Sequence, residues 1–180
     1  MVINVKNDLK ILIRKLTVNK PAFNDKSNWV ITDIPPSFDG IDRLEFDYND
    51  YTRQEVNFEV NVDSIIYVAF DPIYITLDPE LGFTDTRQVI SVVDVAKGSI
   101  RYVVYSRTFN AGSVYFKFSN KSSSFLSLMV FTRIDTTRTI ESSCGGNTSI
   151  VDGSAKDLVA CNASSTKGNS SCSAAFPVYS

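Results

Sequence analysis

The alternation of apolar and polar side chains is clearest in residues 55–71, which read EVNFEVNVDSIIYVAFD. In the first half, every second residue is apolar, which is the period of a strand with one buried and one solvated face. Asp63 and Ser64 interrupt this pattern, and residues 65–70 follow as an unbroken run of apolar side chains. Two strands joined by so short a turn predict a β-hairpin with one half-exposed and one buried partner.

Similar short runs recur through residues 21–140, and turn-forming residues separate them about every 8–12 positions. This spacing is typical of an all-β fold, an antiparallel β-sandwich or jelly roll of about eight or nine strands. No segment of this body has a convincing helical period. Besides the two hairpin strands, the predicted strands are residues 29–32, 44–48, 88–95, 100–105, 114–118 and 125–132.

The N-terminal arm, residues 1–20, is compatible with two structures. Leu9, Leu12, Ile13 and Leu16 have helical spacing, whereas Leu9, Ile11 and Ile13 fit a strand equally well. The consecutive β-branched and apolar residues slightly favour the strand.

Residues 141–180 form a C-terminal arm rich in Ser, Gly, Asn, Thr and Ala. Such a segment buries too little apolar surface to offset its own ordering entropy. Two alternatives remain open for it: the arm contacts neighbouring subunits, or it packs along its own sandwich.

Composition and charge exclude several functions. The formal net charge is −2 and the pI is about 5.1, so the chain lacks the basic footprint of a nucleic-acid-binding protein. No apolar run approaches the roughly 18 residues that span a bilayer. Charged residues interrupt the N-terminal apolar stretches, so we expect no signal peptide and synthesis in the cytosol.

Candidate catalytic chemistry is sparse. The chain has no histidine, which removes the commonest general base and the Ser-His and Cys-His nucleophile systems. No phosphate-binding Gly-rich loop is present, and we predict no cofactor and no enzymatic activity. Glu45 and Asp47 are predicted to lie together on the solvated face of one strand. Asp39 and Asp42 are weak candidates for calcium, although turn carboxylates more often cap backbone amides.

Cysteines and aromatic residues supply the other candidate sites. Cys144, Cys161 and Cys172 all lie in the C-terminal arm, where at most one disulfide can form among them. Trp29, Tyr48, Tyr51 and Tyr74 could stack on sugar rings if they are exposed together. The alternative is that Trp29 is a core residue and the tyrosines keep only their hydroxyl groups in water.

Three blocks carry a family resemblance: NWVITDIPPSFDGIDRLEF, VNFEVNVDSIIYVAFD and FNAGSVYFKF. They resemble the β-sandwich accessory modules attached to polysaccharide lyases and glycoside hydrolases, in which a strand ending in a similar VYVAyD motif follows a hairpin. The resemblance implies a non-catalytic module that binds glycan or packs on a partner. Its most specific part, residues 67–71, is implied to be a buried scaffold element. The expected lack of a signal peptide and the long Ser/Gly-rich arm depart from that pattern.

Two functions follow as hypotheses. The first is a structural component of a larger assembly, such as a minor capsid protein of a large virus, whose C-terminal arm contacts other subunits and which is incorporated in a virion. The second is a carbohydrate-binding module.

Overall fold

Twelve β-strands and two short 3₁₀ turns form the part of the chain that the structure describes. The structure, a computed structural model, describes residues 3–4, 11–94 and 98–137. Backbone contacts divide the chain after Asp135, and the fold below is that of the first unit. The C-terminal arm and its three cysteines lie outside the described residues. The strands are β1 Ile3–Asn4, β2 Leu12–Lys15, β3 Pro21–Phe23, β4 Lys26–Asp33, β5 Asp42–Glu45, β6 Glu55–Val60, β7 Ser64–Phe70, β8 Ile75–Leu77, β9 Thr84–Asp94, β10 Gly98–Phe109, β11 Gly112–Asn120 and β12 Leu128–Ile134.

The strands form two antiparallel sheets. The small sheet has four strands in the order β1-β6-β11-β8, and the large sheet has eight in the order β2-β5-β12-β7-β10-β9-β4-β3. The two sheets pack face to face, and the predicted antiparallel all-β sandwich is thereby confirmed. Within the described residues the only helical segments are the 3₁₀ turns Pro36–Phe38 and Pro79–Leu81.

Strand β7 lies in the middle of the large sheet, and both of its faces are buried. Ile66, Val68 and Phe70 pack in a first core, between the two sheets. Tyr67 and Ala69 pack in a second core, on the opposite face of the large sheet. Two buried faces explain why residues 65–70 are apolar without interruption, and the scaffold role implied for this stretch agrees with their burial.

The predicted hairpin between β6 and β7 is wrong. Strand β6 pairs with β1 and β11 in the small sheet, whereas β7 pairs with β10 and β12 in the large sheet. The chain therefore crosses from one sheet to the other at Asp63. The Asp63 carboxylate accepts a hydrogen bond from the backbone N–H of Ala111 (2.8 Å), and its carbonyl accepts one from the N–H of Asp135 (2.9 Å). A short turn between two strands allows such a crossing as well as a hairpin, and local sequence does not distinguish them.

The large sheet curls until its last strand, β3, lies beside β5 near the other end. Arg43 of β5 donates hydrogen bonds to the carbonyls of Ala22 (2.9 Å) and Pro21 (2.6 Å) in β3. The N–H of Asn24 also donates to the carbonyl of Phe46 (2.9 Å). The curled sheet thus encloses the second core, in which Trp29 is buried.

Several predicted strand limits differ from the structure. Strand β5 ends at Glu45 rather than at residue 48, and β12 begins at Leu128 rather than at residue 125. Both displaced segments pack aromatic rings, Tyr48 and Phe125, against each other. The apolar pattern at these two ends therefore extends beyond the residues that pair in the sheet, because the rings pack in the core without strand pairing. In the N-terminal arm, Leu12–Lys15 adopts the strand alternative and pairs with β5.

Candidate functional site

The outer surface of the small sheet presents a row of polar side chains and one aromatic ring. Because Val56 and Phe58 of β6 and Val114 and Phe116 of β11 point into the first core, their neighbours along each strand point outward. We call this surface the small-sheet face. Its residues are Glu55, Asn57 and Glu59 of β6 and Ser113, Tyr115 and Lys117 of β11.

Tyr115 is the prominent residue of the small-sheet face, since 47% of its surface is exposed. It lies opposite Asn57 in the strand register, while its hydroxyl group donates to the Oε2 atom of Glu55, which belongs to the next outward-facing pair along the strands (3.0 Å). The ring must therefore extend along the face toward the pair formed by Glu55 and Lys117. This contact gives an exposed aromatic ring a defined direction without burying it.

Hydrogen-bonding groups of both kinds surround this ring. The Ser113 hydroxyl donates to the Oδ1 atom of Asn57 (3.4 Å), and Lys117 lies opposite Glu55 in the register. Carboxylate oxygens accept, an ammonium group donates, and amide and hydroxyl groups do both. The face can therefore satisfy a ligand that carries many hydroxyl groups.

An open recess of about 620 Å³ continues the small-sheet face at the end where β8 joins β11. Glu55 and Lys117 belong to both the face and the recess. The recess adds oxygen- and nitrogen-bearing side chains at its rim, among them Gln54, Thr76, Asp78 and Ser119. A ligand lying along β11 would run from the Tyr115 ring into this recess.

Burial removes two residues from the predicted aromatic platform. Trp29 is only 3% exposed and Tyr48 only 7%, and their rings stack with centroids 5.2 Å apart. Neither can offer a ring face to a sugar, because each ring packs inside the second core. Burial and the negative charge of Asp94 raise the pKa of Tyr48 above its ordinary value of 10.0.

The other two platform residues lie near the surface on neighbouring loops. Tyr51 is 44% exposed, and Tyr74 is half-buried, with its ring packed edge-on against Phe125 (4.6 Å between centroids). The side-chain amide of Asn120 joins the Tyr51 loop to Phe125, since it donates to the carbonyls of Tyr51 (3.1 Å) and Phe125 (3.0 Å). A platform made of Tyr51 and Tyr74 alone stays a prediction.

Most acidic side chains of residues 39–50 are engaged in local contacts. Asp42 forms an ion pair with Lys15 (2.7 Å), and Asp50 forms one with Arg53 (2.7 Å). Asp39 is an exposed residue at the end of the first 3₁₀ turn, and its N–H donates to the carbonyl of Pro36. In the ranges that the structure describes, no three His, Cys, Asp or Glu side chains are grouped so as to hold a metal ion.

The prediction that Glu45 and Asp47 share a solvated face is wrong for Glu45. Its side chain is 5% exposed and pairs with the buried Arg43 guanidinium. Arg43 and Glu45 do share one face of β5, opposite Leu44, but the curled end of the large sheet covers that face. Asp47 lies beyond the end of β5 and accepts a hydrogen bond from Asn24 (3.0 Å).

Sequence reasoning missed the small-sheet face as a site, although one signal was available. In the sequence of β11, Tyr115 and Lys117 alternate with Val114, Phe116 and Phe118, a pattern that predicts a solvated position for both and an exposed tyrosine ring. What the sequence could not show is that Glu55 comes from the adjacent strand, 60 residues away, to anchor the tyrosine hydroxyl.

Comparisons with known proteins bear on the fold. The chain matches no protein-family model and no curated protein. Among solved structures it is similar to a β-glucuronidase from glycoside hydrolase family 2, with a TM-score of 0.58 and 18% identity over 73% of this chain and 14% of that one. A glycoside hydrolase family 138 enzyme targeting pectin rhamnogalacturonan II matches with a TM-score of 0.49 and 16% identity over 70% of this chain and 16% of that one. The similarity to the β-glucuronidase shows the fold alone, and this chain spans only 14% of that enzyme and 16% of the other.

The described residues were also compared with the requirements of a membrane-spanning helix. Among the residues described here, no helix is long and apolar enough to cross a membrane.

Proposed function

We propose that this protein is a non-catalytic, glycan-binding β-sandwich module and that the small-sheet face is its binding surface. The observation that carries the proposal is Tyr115, whose exposed ring is directed along a row of hydrogen-bonding side chains by its contact with Glu55. Function is thus inferred from the site and not from the fold.

The chemistry of the face suits a sugar chain. The C–H surface of a pyranose ring is apolar, and a tyrosine ring offers a large, rigid apolar surface at a small cost in conformational entropy. The hydroxyl groups of the same sugar need both donors and acceptors, which Glu55, Asn57 and Lys117 provide. An open sheet surface also leaves room for a chain to continue at both ends, toward Ser113 on one side and into the recess on the other.

The structural similarity supports a module rather than a complete enzyme. The match covers 73% of this chain but only 14% of the β-glucuronidase chain, so in that protein a region of this fold accompanies a much larger remainder. Together with the resemblance to accessory modules in residues 28–71, this favours a non-catalytic role. A glycan rather than another ligand class is favoured by the Tyr115 surface itself.

A glycan array followed by calorimetry tests the proposal. The full-length protein should bind at least one neutral oligosaccharide or polysaccharide, and Tyr115→Ala should weaken that binding at least ~10-fold, which corresponds to about 1.4 kcal/mol. Tyr51→Ala is the matched control, since it removes a similarly exposed tyrosine from the alternative platform. A Tyr51→Ala variant that loses binding while Tyr115→Ala keeps it would move the site to the loops. No binding to any glycan would end the proposal.

The assembly hypothesis stays a prediction. It depends on residues 141–180, which lie outside the described residues. A variant truncated after residue 140 tests it. If this variant still binds glycan but is no longer incorporated into a particle, the protein has both functions.

A further inference from the structure

A second recess, of about 380 Å³, lies where the two ends of the curled large sheet meet. Strands β2 and β5 form one wall, and the segment around β3 forms the other. We call it the seam pocket. Its lining includes four cations, one carboxylate and three small polar side chains: Arg14, Lys15, Lys20, Arg43, Glu45, Thr17, Asn24 and Ser27.

The seam pocket is positively charged although the whole chain carries a formal charge of −2. Two of its cations are already compensated, since Lys15 pairs with Asp42 at 2.7 Å and Arg43 pairs with Glu45. Arg14 is only 3.9 Å from Glu45, a carboxylate that it must share with Arg43. Among the described residues, Lys20 has no carboxylate partner. The pocket therefore holds an excess of positive charge that an anion would balance.

The burial of Arg43 increases the energetic cost of this excess positive charge. Arg43 is 1% exposed, and its Nε atom has no hydrogen-bond partner among the described residues. Desolvation lowers the pKa of Arg43, Glu45 opposes this change, and the nearby charge of Arg14 lowers the pKa further. Arg14 and Arg43 thus repel each other, and at the buried Arg43 guanidinium this repulsion is screened less than it would be in water. An anion between Arg14 and Lys20 would relieve that repulsion.

We propose that the seam pocket is a second ligand site, which binds an acidic sugar unit through its carboxylate or sulfate group. Arg14 and Lys20 would contact the anionic group, because their side chains are exposed at the mouth and are the least compensated. Arginine presents a planar fork that matches a carboxylate or sulfate ester, and lysine adds a mobile positive charge. Thr17, Asn24 and Ser27 would face the hydroxyl groups of the sugar. This site is separate from the small-sheet face, and the proposal stands whether or not that face binds a neutral glycan.

Affinity electrophoresis of the full-length protein tests the site with three probes: polygalacturonate (carboxylate), dextran sulfate (sulfate) and dextran (neutral). Retardation by one or both acidic probes, with a dissociation constant raised ~10-fold in Arg14→Gln/Lys20→Gln, is the expected result. The acidic probe whose dissociation constant rises more in Arg14→Gln/Lys20→Gln identifies the anionic group that the pocket prefers. Arg101→Gln/Lys121→Gln is the matched control, because it removes the same charge from two exposed cations outside the pocket.

Equal weakening by the control variant would overturn the proposal, since it would mean that general charge and not the pocket attracts the probe. Unchanged binding by Arg14→Gln/Lys20→Gln, or no retardation by either acidic probe at low salt, would overturn it as well. Tyr115→Ala should leave acidic-probe binding intact in this assay. The two proposed sites can therefore fail independently.

Discussion

Replacing Arg43 by methionine removes the side chain that joins the two ends of the large sheet. Methionine fills a similar elongated volume but has no charge and no donor groups. The substitution deletes the hydrogen bonds to the carbonyls of Ala22 and Pro21 and leaves Glu45 buried, with only Arg14 at 3.9 Å. We expect Arg43→Met to be one of the most destabilising single substitutions at a polar residue of this domain.

The magnitude follows from the contacts. The two lost hydrogen bonds, one to the buried carbonyl of Ala22 and one to the partly buried carbonyl of Pro21, contribute about 1 kcal/mol each. Removing one partner of a buried ion pair costs about 3–5 kcal/mol in total, because the remaining charge is uncompensated. Arg43→Met/Glu45→Met removes both charges, so only the hydrogen-bond loss of about 2 kcal/mol should remain. The double variant should therefore be more stable than Arg43→Met alone.

Urea unfolding followed by tryptophan fluorescence measures these differences. Trp29 is the only tryptophan in the chain and is buried in the core that the curled sheet encloses, so its emission reports this region directly. The wild-type chain, Arg43→Met, Glu45→Met and the double variant form a complete cycle. The account is refuted if Arg43→Met costs less than about 1 kcal/mol, or if the double variant loses the sum of both single effects.

Two further predictions concern stability. Burial raises the pKa of Tyr102 above its ordinary value of 10.0, so the folded state keeps this proton to a higher pH than the unfolded chain does, and stability should fall as pH rises above about 10. The free energy of unfolding of Tyr102→Phe should be about 1 kcal/mol lower than that of the wild type at pH 7, because the hydrogen bond to Ser127 (2.8 Å) is lost. Its urea midpoint should nevertheless fall less steeply than the wild-type midpoint as the pH rises above about 10. An equally steep fall would contradict this prediction. Asp63→Ala should lower the free energy of unfolding by about 1 kcal/mol, because the hydrogen bond from the Ala111 N–H is lost. Asp63→Asn keeps an acceptor oxygen and should lower it less. Equal decreases in the two variants would show that this hydrogen-bond acceptor does not stabilise the crossing between the sheets.

The fold class could be predicted because it depends on local periodicity. The alternation in β6 and β11 and the unbroken apolar run in β7 each reflect which faces of a strand are buried, and the structure confirms these patterns. The pairing of β6 with β7 could not be predicted correctly, because a short turn leaves open whether the chain pairs back or crosses to another sheet. That choice depends on β10 and β12, which flank β7 and come later in the chain.

The candidate sites were less predictable for the same reason. An exposed position for Tyr115 follows from alternation alone, but its anchor on Glu55 needs the register between β6 and β11. Glu45 was placed in water because nothing local to β5 shows that β3 covers it. The aromatic platform failed for Trp29 and Tyr48 because large rings contribute more by packing in a core than by facing solvent.

Backbone amide mapping by NMR tests the central claim most directly. Titration of the ¹⁵N-labelled protein with the glycan selected by the array should shift amide signals along residues 113–119 and 55–59, which form the small-sheet face and the start of the recess. Shifts confined to the loops around Tyr51 and Tyr74, with none in β11, would contradict the assignment of the small-sheet face as the binding surface.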